Sequence, residues 1–395
     1  MVNPAYEKLG SAPSMIRELF AYGLRRSAEV GPENVFDYSL GNPSIPAPQP
    51  VQQALLDVLH DTDPIQVHGY SMAGGFDGTR RAVAEDLTHR FGMTIRPEEL
   101  FFTCGAAAAL ISVIRALTVS PDSEFVAIAP YFPEYLPFVE SNGGKLVSVP
   151  ADLDTFQISL DILEAHLTSH TQAVLVNSPN NPTGVVYSRQ TLEGLAELLR
   201  RKSTQFGHPI YLIADEPYRE LVYDGVEVPF LPTIYPNTLV CYSYSKSLSL
   251  PGERFGYVLV PKQVTDAEAV YAATAGAGRS LGYVNAPSLF QQVVSRCCDL
   301  TSDIGVYERN CALLTDALRE MGYHVAQPGG AFYLFPRSLE PDDMAFSERA
   351  KQFDLLLVPG SGFGAPGHFR IAYCVQTEMI ERALPRFKAL ADFYQ

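Results

Sequence analysis

The sequence predicts an α/β protein with a mostly parallel central sheet flanked by helices, and with a smaller α+β domain beside it. Two observations favour this fold class. Through the middle of the chain, short apolar runs alternate with segments in which leucine and alanine recur at helical spacing. Such alternation is typical of βα units, whose crossover helices cover a parallel sheet. The last third instead combines long helical patterns with a few short apolar runs.

The elements of the larger domain can be assigned in chain order. Residues 14–29 form an amphipathic pattern that predicts a helix, and the proline-rich residues 42–50 then lead into the larger domain. Helices are expected at residues 160–166 and 189–202. The predicted strands are residues 125–129, 145–149, 173–177, 210–215, 239–243 and 255–260.

The smaller domain is predicted from the remaining segments. A long helical stretch covers residues 287–321, and a terminal helix covers residues 377–393. The predicted strands between them are residues 323–326, 331–335, 355–358 and 369–373. We therefore expect a large domain of residues 50–290 and a small domain assembled from residues 1–49 and 291–395.

Charge and cysteine content limit the possible partners and compartment. The formal net charge of −15 argues against binding to a nucleic-acid backbone. No pattern typical of a signal peptide or a membrane-spanning helix is visible in the sequence. The six cysteines have no C-x-x-C spacing, which indicates free thiols in a reducing compartment. These features predict a cytoplasmic protein.

Three polar motifs directly follow predicted strands, at the end where parallel sheets bind their ligands. They are Asn177-Ser-Pro-Asn-Asn-Pro-Thr-Gly184, Ile210-Tyr-Leu-Ile-Ala-Asp-Glu-Pro-Tyr218 and Ser243-Tyr-Ser-Lys-Ser-Leu-Ser-Leu-Pro-Gly-Glu-Arg254. Each has an ordinary explanation when taken alone: a turn-rich loop, a helix-capping carboxylate or a solvated lysine.

Together the three motifs match the chemical needs of pyridoxal phosphate. That cofactor needs hydrogen-bond donors for its phosphate, an amine for its carbonyl, an anion for its pyridine nitrogen and donors for its phenolate oxygen. The residues that supply these groups are Lys246, Asp215, Tyr218, Asn181, Ser243 and Arg254.

The order and spacing of these motifs resemble the class I/II pyridoxal-phosphate aminotransferases, the aspartate aminotransferase-like group of fold type I. P-N-N-P-T-G, D-E-P-Y and S-x-S-K, with an arginine eight residues after the lysine, occur in the family's order, and the resemblance covers nearly the whole chain. It implies amino transfer from an L-amino acid, aspartate-like or aromatic, to a 2-oxo acid such as 2-oxoglutarate by a ping-pong mechanism.

The resemblance also implies roles for the cofactor-binding residues. Lys246 matches the lysine that forms the Schiff base and then acts as general acid and base. Asp215 matches the partner of the pyridinium nitrogen, and Tyr218 and Asn181 match the donors to the phenolate oxygen; the Asn181–Pro182 peptide is expected to be cis. The residues expected to bind the phosphate are Ala106 and Ala107 through their amides, together with Ser243, Ser245 and Arg254.

Further positions follow from the same resemblance. Phe132 aligns with the aromatic ring that stacks on the cofactor, with Tyr131 as its competitor. Tyr70 matches a tyrosine that reaches the phosphate of the neighbouring subunit, which implies a homodimer with shared active sites. Gly41 matches a turn that contacts the substrate, and Arg370 matches the arginine that binds the substrate α-carboxylate.

The side-chain specificity of the substrate site is less clearly marked. Arg279 lies six residues before Asn285, one position away from the place of a distal carboxylate-binding arginine in one branch of the family. The glycines around it predict a loop. Arg279 either reads a second carboxylate from the partner subunit or is a solvated loop residue, and the sequence favours neither.

Two other functions compete with transfer. One is a carbon–sulfur lyase or decarboxylase on the same fold; the lyase branch usually has a histidine where Asn180 stands and an arginine where Val185 stands. The other is a regulator that senses pyridoxal phosphate and carries an N-terminal DNA-binding segment. The chain reaches its Gly41 motif within about forty residues, which argues against that segment.

Overall fold

In the computed structural model, which describes residues 1–11 and 14–395, a seven-stranded sheet forms the centre of the protein. The strand order is β2-β8-β7-β6-β5-β3-β4. The strands of the chain are β1 (Phe36–Asp37), β2 (Leu100–Thr103), β3 (Glu124–Ala129), β4 (Lys145–Pro150), β5 (Thr171–Asn177), β6 (Tyr211–Asp215), β7 (Thr238–Ser243), β8 (Gly256–Leu259), β9 (Tyr333–Leu334), β10 (Leu355–Leu356), β11 (Val358–Pro359) and β12 (Phe369–Ala372).

The central sheet is mostly parallel, as predicted. Strands β4, β3, β5, β6 and β7 run parallel to one another, whereas β8 is antiparallel to β7 and β2 is antiparallel to β8. All six predicted strands of the large domain are present, but β2 was missed. Its four residues form a run too short to identify locally, and its place is decided by pairing with β8 far along the chain.

Helices cover both faces of this sheet, and a buried apolar cluster lies on each face. The helices are α1 (Pro4–Ser11), α2 (Met15–Val30), α3 (Gln49–Asp61), α4 (Pro64–His68), α5 (Asp77–Phe91), α6 (Gly105–Leu117), α7 (Tyr135–Glu140), α8 (Leu160–His166), α9 (Arg189–Phe206), α10 (Tyr244–Ser247), α11 (Ala267–Leu281), α12 (Ser288–Val294), α13 (Gly305–Glu320), α14 (Asp343–Lys351) and α15 (Thr377–Phe393). Ser14 caps α2 by accepting a hydrogen bond from the amide of Arg17.

The two ends of the chain meet in a smaller set of strands. β1 pairs in parallel with β10, and β12 lies between β11 and β9 in an antiparallel sheet. A separate apolar cluster joins these strands to α13 and α15. The N-terminal strand is therefore held by residues more than three hundred positions further along the chain.

Three predictions of secondary structure were wrong. Residues 323–326 form no strand; the side chains of Tyr323 and Val325 are buried, but the backbone passes as a loop. The single helix predicted at 287–321 is two helices, α12 and α13, because the chain turns at residues 295–304, where the Ser302 amide bonds the Ser247 carbonyl. The predicted loop around residue 279 belongs to α11, where Gly278 allows close packing against Phe101.

The described residues show neither a membrane-spanning helix nor a metal-binding cluster. Across residues 1–11 and 14–395, no helix combines the length and the apolar character that crossing a bilayer requires. The same residues contain no group of three or more histidine, cysteine, aspartate or glutamate side chains arranged to bind a metal ion. None of the six cysteines, all of them within the described residues, forms a disulfide.

Candidate active site

A cavity of about 320 Å³ opens where the central parallel strands end. β5, β6 and β7 end at Asn177, Asp215 and Ser243, and the carboxyl ends of parallel strands meet at one edge of the sheet. The cavity is lined by Ile16, Leu40, Gly41, Ala106, Ala107, Leu110, Phe132, Asn177, Asn181, Asp215, Pro217, Tyr218, Ser243, Ser245, Lys246, Pro251, Arg254, Tyr333 and Arg370.

Lys246 enters the cavity from the short helix α10, which follows β7. Its Nζ donates a hydrogen bond of 2.6 Å to the carbonyl of Gly41 and lies 5.4 Å from the centre of the Phe332 ring. Burial lowers the pKa of this amine to about 8, with smaller contributions from Arg370 and Arg254. Lys246 can therefore lose its proton near neutral pH, as a nucleophilic amine must.

Asp215, the last residue of β6, lines the cavity with one carboxylate oxygen that has no hydrogen-bond partner among the described residues. Its Oδ2 accepts a hydrogen bond of 2.5 Å from the hydroxyl of Tyr135, whereas its buried Oδ1 has no partner among the described residues. Burial raises the pKa of this carboxyl to about 7. A cation beside Oδ1 would both satisfy this oxygen and keep the carboxylate charged.

Asn177 connects the loop after β5 to the end of β6. Its side-chain amide donates to the carbonyl of Asp215 at 2.8 Å, and its Oδ1 accepts from the amide of Asn181 at 2.7 Å. The Asn181–Pro182 peptide is cis, as predicted. Because Asn177 is buried and its Oδ1 holds the Asn181 amide, it positions Asn181 relative to the end of β6.

The anion-binding end of the cavity is formed by α6 and by the residues after β7. α6 begins at Gly105, so the first amides of the helix, including those of Ala106 and Ala107, face this end without helical partners. The hydroxyls of Ser243 and Ser245 lie 2.7 Å apart, and Arg254 contacts the Ser245 hydroxyl at 3.4 Å.

Gly105 is required at the start of α6 for two reasons. Its φ of +83° lies in the left-handed region, and a Cβ there would lie 2.6 Å from Nη2 of Arg254. Arg254 Nη2 also donates to the carbonyl of Cys104 at 3.2 Å. The absence of a side chain therefore allows a guanidinium, two hydroxyls and a helix N-terminus to converge.

Arg370 reaches the cavity from β12, opposite the lysine loop. It is only 2% exposed, its Nη1 donates to Oδ1 of Asn181 at 3.1 Å, and its Nη2 donates to the carbonyl of Ser39. The guanidinium carbon lies 4.9 Å from the ring centres of both Tyr333 and Phe363. Its buried Nε has no partner in the part of the chain that the structure describes, so it can bind a carboxylate.

The remaining predicted residues divide into those inside the cavity and those outside it. Phe132 lines the cavity and its competitor Tyr131 does not. Gly41 lines it at the turn after β1. Tyr70 is 92% exposed and Arg279 is an exposed residue near the end of α11, so neither side chain reaches the cavity of its own subunit.

Two polar residues of the cavity, Asn177 and Tyr333, were not predicted from the sequence. Asn177 could have been found because it is the last residue of a buried strand and begins the Asn-rich motif. Tyr333 lies within the apolar run 331–335 of the smaller domain, and only the assembled fold brings its hydroxyl to 2.9 Å from that of Tyr218. No local sequence signal distinguishes it from a tyrosine of the core.

The geometry combines a low-pKa lysine, an unpaired buried carboxylate, an anion site at a helix start and a second buried arginine. Comparison with known proteins agrees with this arrangement: the family described as "Aminotransferase class I and II" matches residues 33–387. The chain belongs to the class I and II aminotransferases. As a member of this family, whose enzymes use pyridoxal phosphate, the protein is an enzyme that transfers amino groups.

This aminotransferase is similar to known proteins over nearly its full length. A crystal structure of an amino transferase from Eubacterium rectale has a TM-score of 0.98 and 53% identity, and covers 100% of this chain and 99% of its own. An aspartate aminotransferase of Thermotoga maritima is 30% identical, over 90% of this chain and 91% of its own length. Aromatic-amino-acid aminotransferase 2 of Thermococcus litoralis is 31% identical, over 95% of each chain.

Proposed function

We propose that this aminotransferase binds pyridoxal 5'-phosphate in the cavity, covalently through Lys246, and moves an amino group from an L-amino acid to a 2-oxo acid. The unpartnered Oδ1 of Asp215 carries this proposal, because a protonated pyridine nitrogen is the cation that would satisfy it. Lys246 and the anion site with Arg254 supply the groups that the cofactor needs. Arg370 supplies a separate cation for the carboxylate of an amino acid.

The residues around the cavity would divide the work of binding the cofactor, binding the substrate and moving the proton. When bound, pyridoxal phosphate supplies a carbonyl that condenses with amines and a ring that withdraws electrons from the substrate α-carbon. The neutral amine of Lys246 attaches the cofactor and later moves the proton of that α-carbon. Tyr218 and Asn181 donate to the ring oxygen, Phe132 stacks on the ring, and Arg370 binds the α-carboxylate, with Gly41 beside it.

The phosphate would lie at the start of α6, bound by the groups that converge there. The amides of Ala106 and Ala107, the hydroxyls of Ser243 and Ser245, and Arg254 all line this end of the cavity. A helix N-terminus with a guanidinium and hydroxyls forms a suitable oxyanion site.

The carbon–sulfur lyase alternative is less well supported by the loop after β5. Asn180 stands where the lyase branch usually has a histidine, and its Oδ1 accepts from the amide and hydroxyl of Thr183 at 3.1 and 2.9 Å. The side chain therefore closes the turn and does not line the cavity.

A panel of amino acids tests the proposed function and the donor together. Purified protein loaded with pyridoxal phosphate would be mixed with each amino acid while the absorbance of the lysine-bound cofactor is followed. Transfer removes this band once per subunit, and 2-oxoglutarate, oxaloacetate or pyruvate then restores it. We propose aspartate-like or aromatic donors, since relatives are named for both. Ammonia and pyruvate formed without an oxo acid would indicate a lyase instead.

The pKa of Lys246 predicts how fast the cofactor-free protein captures pyridoxal phosphate at different pH. Only the neutral amine attacks a carbonyl, and burial lowers its pKa to about 8. The rate should rise about tenfold per pH unit below that value and level off above it, whereas an exposed lysine would level off only near its ordinary pKa of about 10.4. Stopped-flow absorbance from pH 6 to 10 measures this, and a rate still rising steeply at pH 9.5 would contradict it.

We further propose a homodimer with shared active sites. Tyr70 is 92% exposed and Met72 is 77% exposed, on a segment next to exposed apolar residues of α3 and α4 such as Leu59 and Ile65. An apolar surface of this kind is typical of a subunit interface. Across it, Tyr70 would reach the phosphate site of the partner.

We also propose that the protein is located in the cytoplasm, because its six cysteines are unpaired.

Mixing two inactive variants tests whether sites are shared. Lys246→Ala and Tyr70→Ala dimers would be unfolded together and refolded, so that half of the dimers become hybrids. Each hybrid then has one site with an intact Lys246 and an intact Tyr70, and the mixture should reach roughly a quarter of wild-type activity. Activity equal to the mean of the two parents would show that Tyr70 serves only its own subunit.

The division into domains remains a proposal with the boundaries given above: residues 50–290, and residues 1–49 with 291–395. The pairing of β1 with β10 supports it, because the N-terminal strand joins the C-terminal ones. A separate apolar cluster around α13 and α15 supports it as well.

Arg279 is proposed to read the distal carboxylate of a dicarboxylic substrate from the partner subunit. A charge-assisted hydrogen bond contributes about 1.5–3 kcal/mol, so Arg279→Ala should lower kcat/KM for aspartate and glutamate roughly ten- to a hundredfold. Alanine and aromatic donors should be spared. The neighbouring exposed Ser280→Ala is a matched control. An equal loss for all donors, or none, would mean that Arg279 is a solvated helix residue.

A further inference from the structure

Two buried tyrosine hydroxyls meet at the wall of the cavity. The hydroxyl oxygens of Tyr333 and Tyr218 are 2.9 Å apart, and both residues are at most 5% exposed. Tyr218 follows β6 of the central sheet, whereas Tyr333 belongs to β9 of the smaller one. In the part of the chain that the structure describes, each hydroxyl makes this side-chain hydrogen bond and no other.

The surroundings of Tyr333 keep its hydroxyl in this position. β9 pairs with β12, so that Tyr333 lies opposite Ala372 and its ring lies 4.9 Å from the guanidinium of Arg370. On the other side, a Cβ at Gly41 would lie only 2.0 Å from the Tyr333 hydroxyl. The Tyr333 hydroxyl oxygen therefore lies between Gly41 and the hydroxyl of Tyr218.

The proton arrangement between the two hydroxyls follows from what Tyr218 must do. Each hydroxyl has one proton, and one of the two must donate to the other. If Tyr218 donates its proton to the ring oxygen of the cofactor, its own oxygen is left to accept a proton from Tyr333. A hydroxyl that accepts a hydrogen bond becomes a stronger donor, which is the cooperativity expected of a buried chain.

We propose that Tyr333 is a positioning residue that donates its hydroxyl proton to Tyr218 and so directs the Tyr218 proton to the cofactor ring oxygen. This inference rests on the proposed cofactor site. It gives Tyr333 a role in tuning the protonation of the lysine-bound cofactor, although Tyr333 needs no contact with the reacting atoms.

This assignment also gives the ring-oxygen donors a common support. Asn181 accepts from Arg370 of β12 at 3.1 Å, and Tyr218 bonds Tyr333 of β9 at 2.9 Å. β9 and β12 are neighbouring strands. The two donors to the ring oxygen are therefore both held by residues of the same small sheet.

The test is an absorbance titration of the lysine-bound cofactor without substrate, in the wild type, Tyr333→Phe, Tyr218→Phe and the double variant. Donors to the ring oxygen favour the form that has lost the proton shared with the lysine nitrogen, because the oxygen is then more negative. Tyr218→Phe should raise the apparent pKa by about 1–2. Tyr333→Phe should raise it by roughly 0.2–0.7, since it weakens that donor and does not remove it.

The double variant shows whether Tyr333 changes the pKa of the bound cofactor through Tyr218 or independently of it. If Tyr333 acts through Tyr218, Tyr333→Phe has no further effect once Tyr218 is phenylalanine. The same pKa increase in both backgrounds, or none in either, would overturn the inference. Tyr307→Phe is the matched control, because Tyr307 is equally buried and packs on the same Phe332 ring but does not line the cavity.

Other outcomes separate this inference from the proposed function. Tyr333→Phe keeps the ring beside Arg370, so KM for the amino donor should change by less than about threefold while the pH profile of kcat/KM moves. Wild-type protein that gives no absorbance band with pyridoxal phosphate would refute the proposed function itself. A normal band with no effect of Tyr333→Phe would refute the positioning role alone.

Discussion

Replacement of Lys246 by alanine is expected to reduce amino transfer by roughly 10⁴-fold or more. The variant loses both the amine that attaches the cofactor and the group that moves the α-proton. No other lysine lines the cavity, so within the described residues nothing can take its place. Initial rates with an amino donor and an oxo acid measure the loss.

The same variant should still bind pyridoxal phosphate. The start of α6, the two serine hydroxyls and Arg254 do not depend on Lys246, and Asp215 keeps its place at the end of β6. Cofactor content after gel filtration, and the absorbance of free rather than lysine-bound aldehyde, would demonstrate this. Lys262→Ala, at an exposed lysine, is the control. Near-normal turnover in Lys246→Ala would refute the assignment of the covalent site.

Replacement of Asp215 should reduce turnover by roughly 10²–10³-fold while weakening cofactor binding far less. The carboxylate would hold the pyridine nitrogen protonated, and without it the ring withdraws electrons poorly. Asp215→Asn is preferred to alanine, because removing the whole side chain would leave the buried Tyr135 hydroxyl without its acceptor. That would cost about 1–3 kcal/mol of stability and confuse the interpretation.

Turnover and the cofactor dissociation constant should be measured on the same preparations. Tyr135→Phe is the informative companion, because it removes the bond to Oδ2 and leaves the carboxylate in place. We expect a smaller loss of rate in Tyr135→Phe than in Asp215→Asn. An unaffected rate in Asp215→Asn would mean that the carboxylate only anchors Tyr135.

The sequence alone identified the functional residues that directly follow a strand. Asp215 and Lys246 follow apolar runs that the chain itself marks as strands, and parallel strands bring their ends together. Arg370 was assigned through family resemblance alone, since its contacts with Asn181 and Ser39 join segments 189 and 331 residues apart. Tyr333 was missed for the same reason, because its partner lies 115 residues away.

Strand β2 and the helix α11 show two other limits of local patterns. The four residues of β2 gain their identity from pairing with β8, and no periodicity within so short a run can reveal that. The glycines of α11 predicted a loop because glycine is flexible in isolation. In the fold, Gly278 instead provides room for Phe101 against the helix, so packing outweighs the intrinsic preference.

The pairing of β1 with β10 has a consequence for the order in which the enzyme can be completed during its synthesis. Phe36 is made early, but its partner Leu355 leaves the ribosome about three hundred residues later. Until then the backbone groups of β1 have no strand to bond, and Gly41 has no fixed position beside Lys246. A nascent chain can therefore assemble the central sheet with its lysine while the carboxylate-binding wall is still missing. The ability to bind either substrate through its α-carboxylate arises only near the end of translation, when Arg370 of β12 has been made.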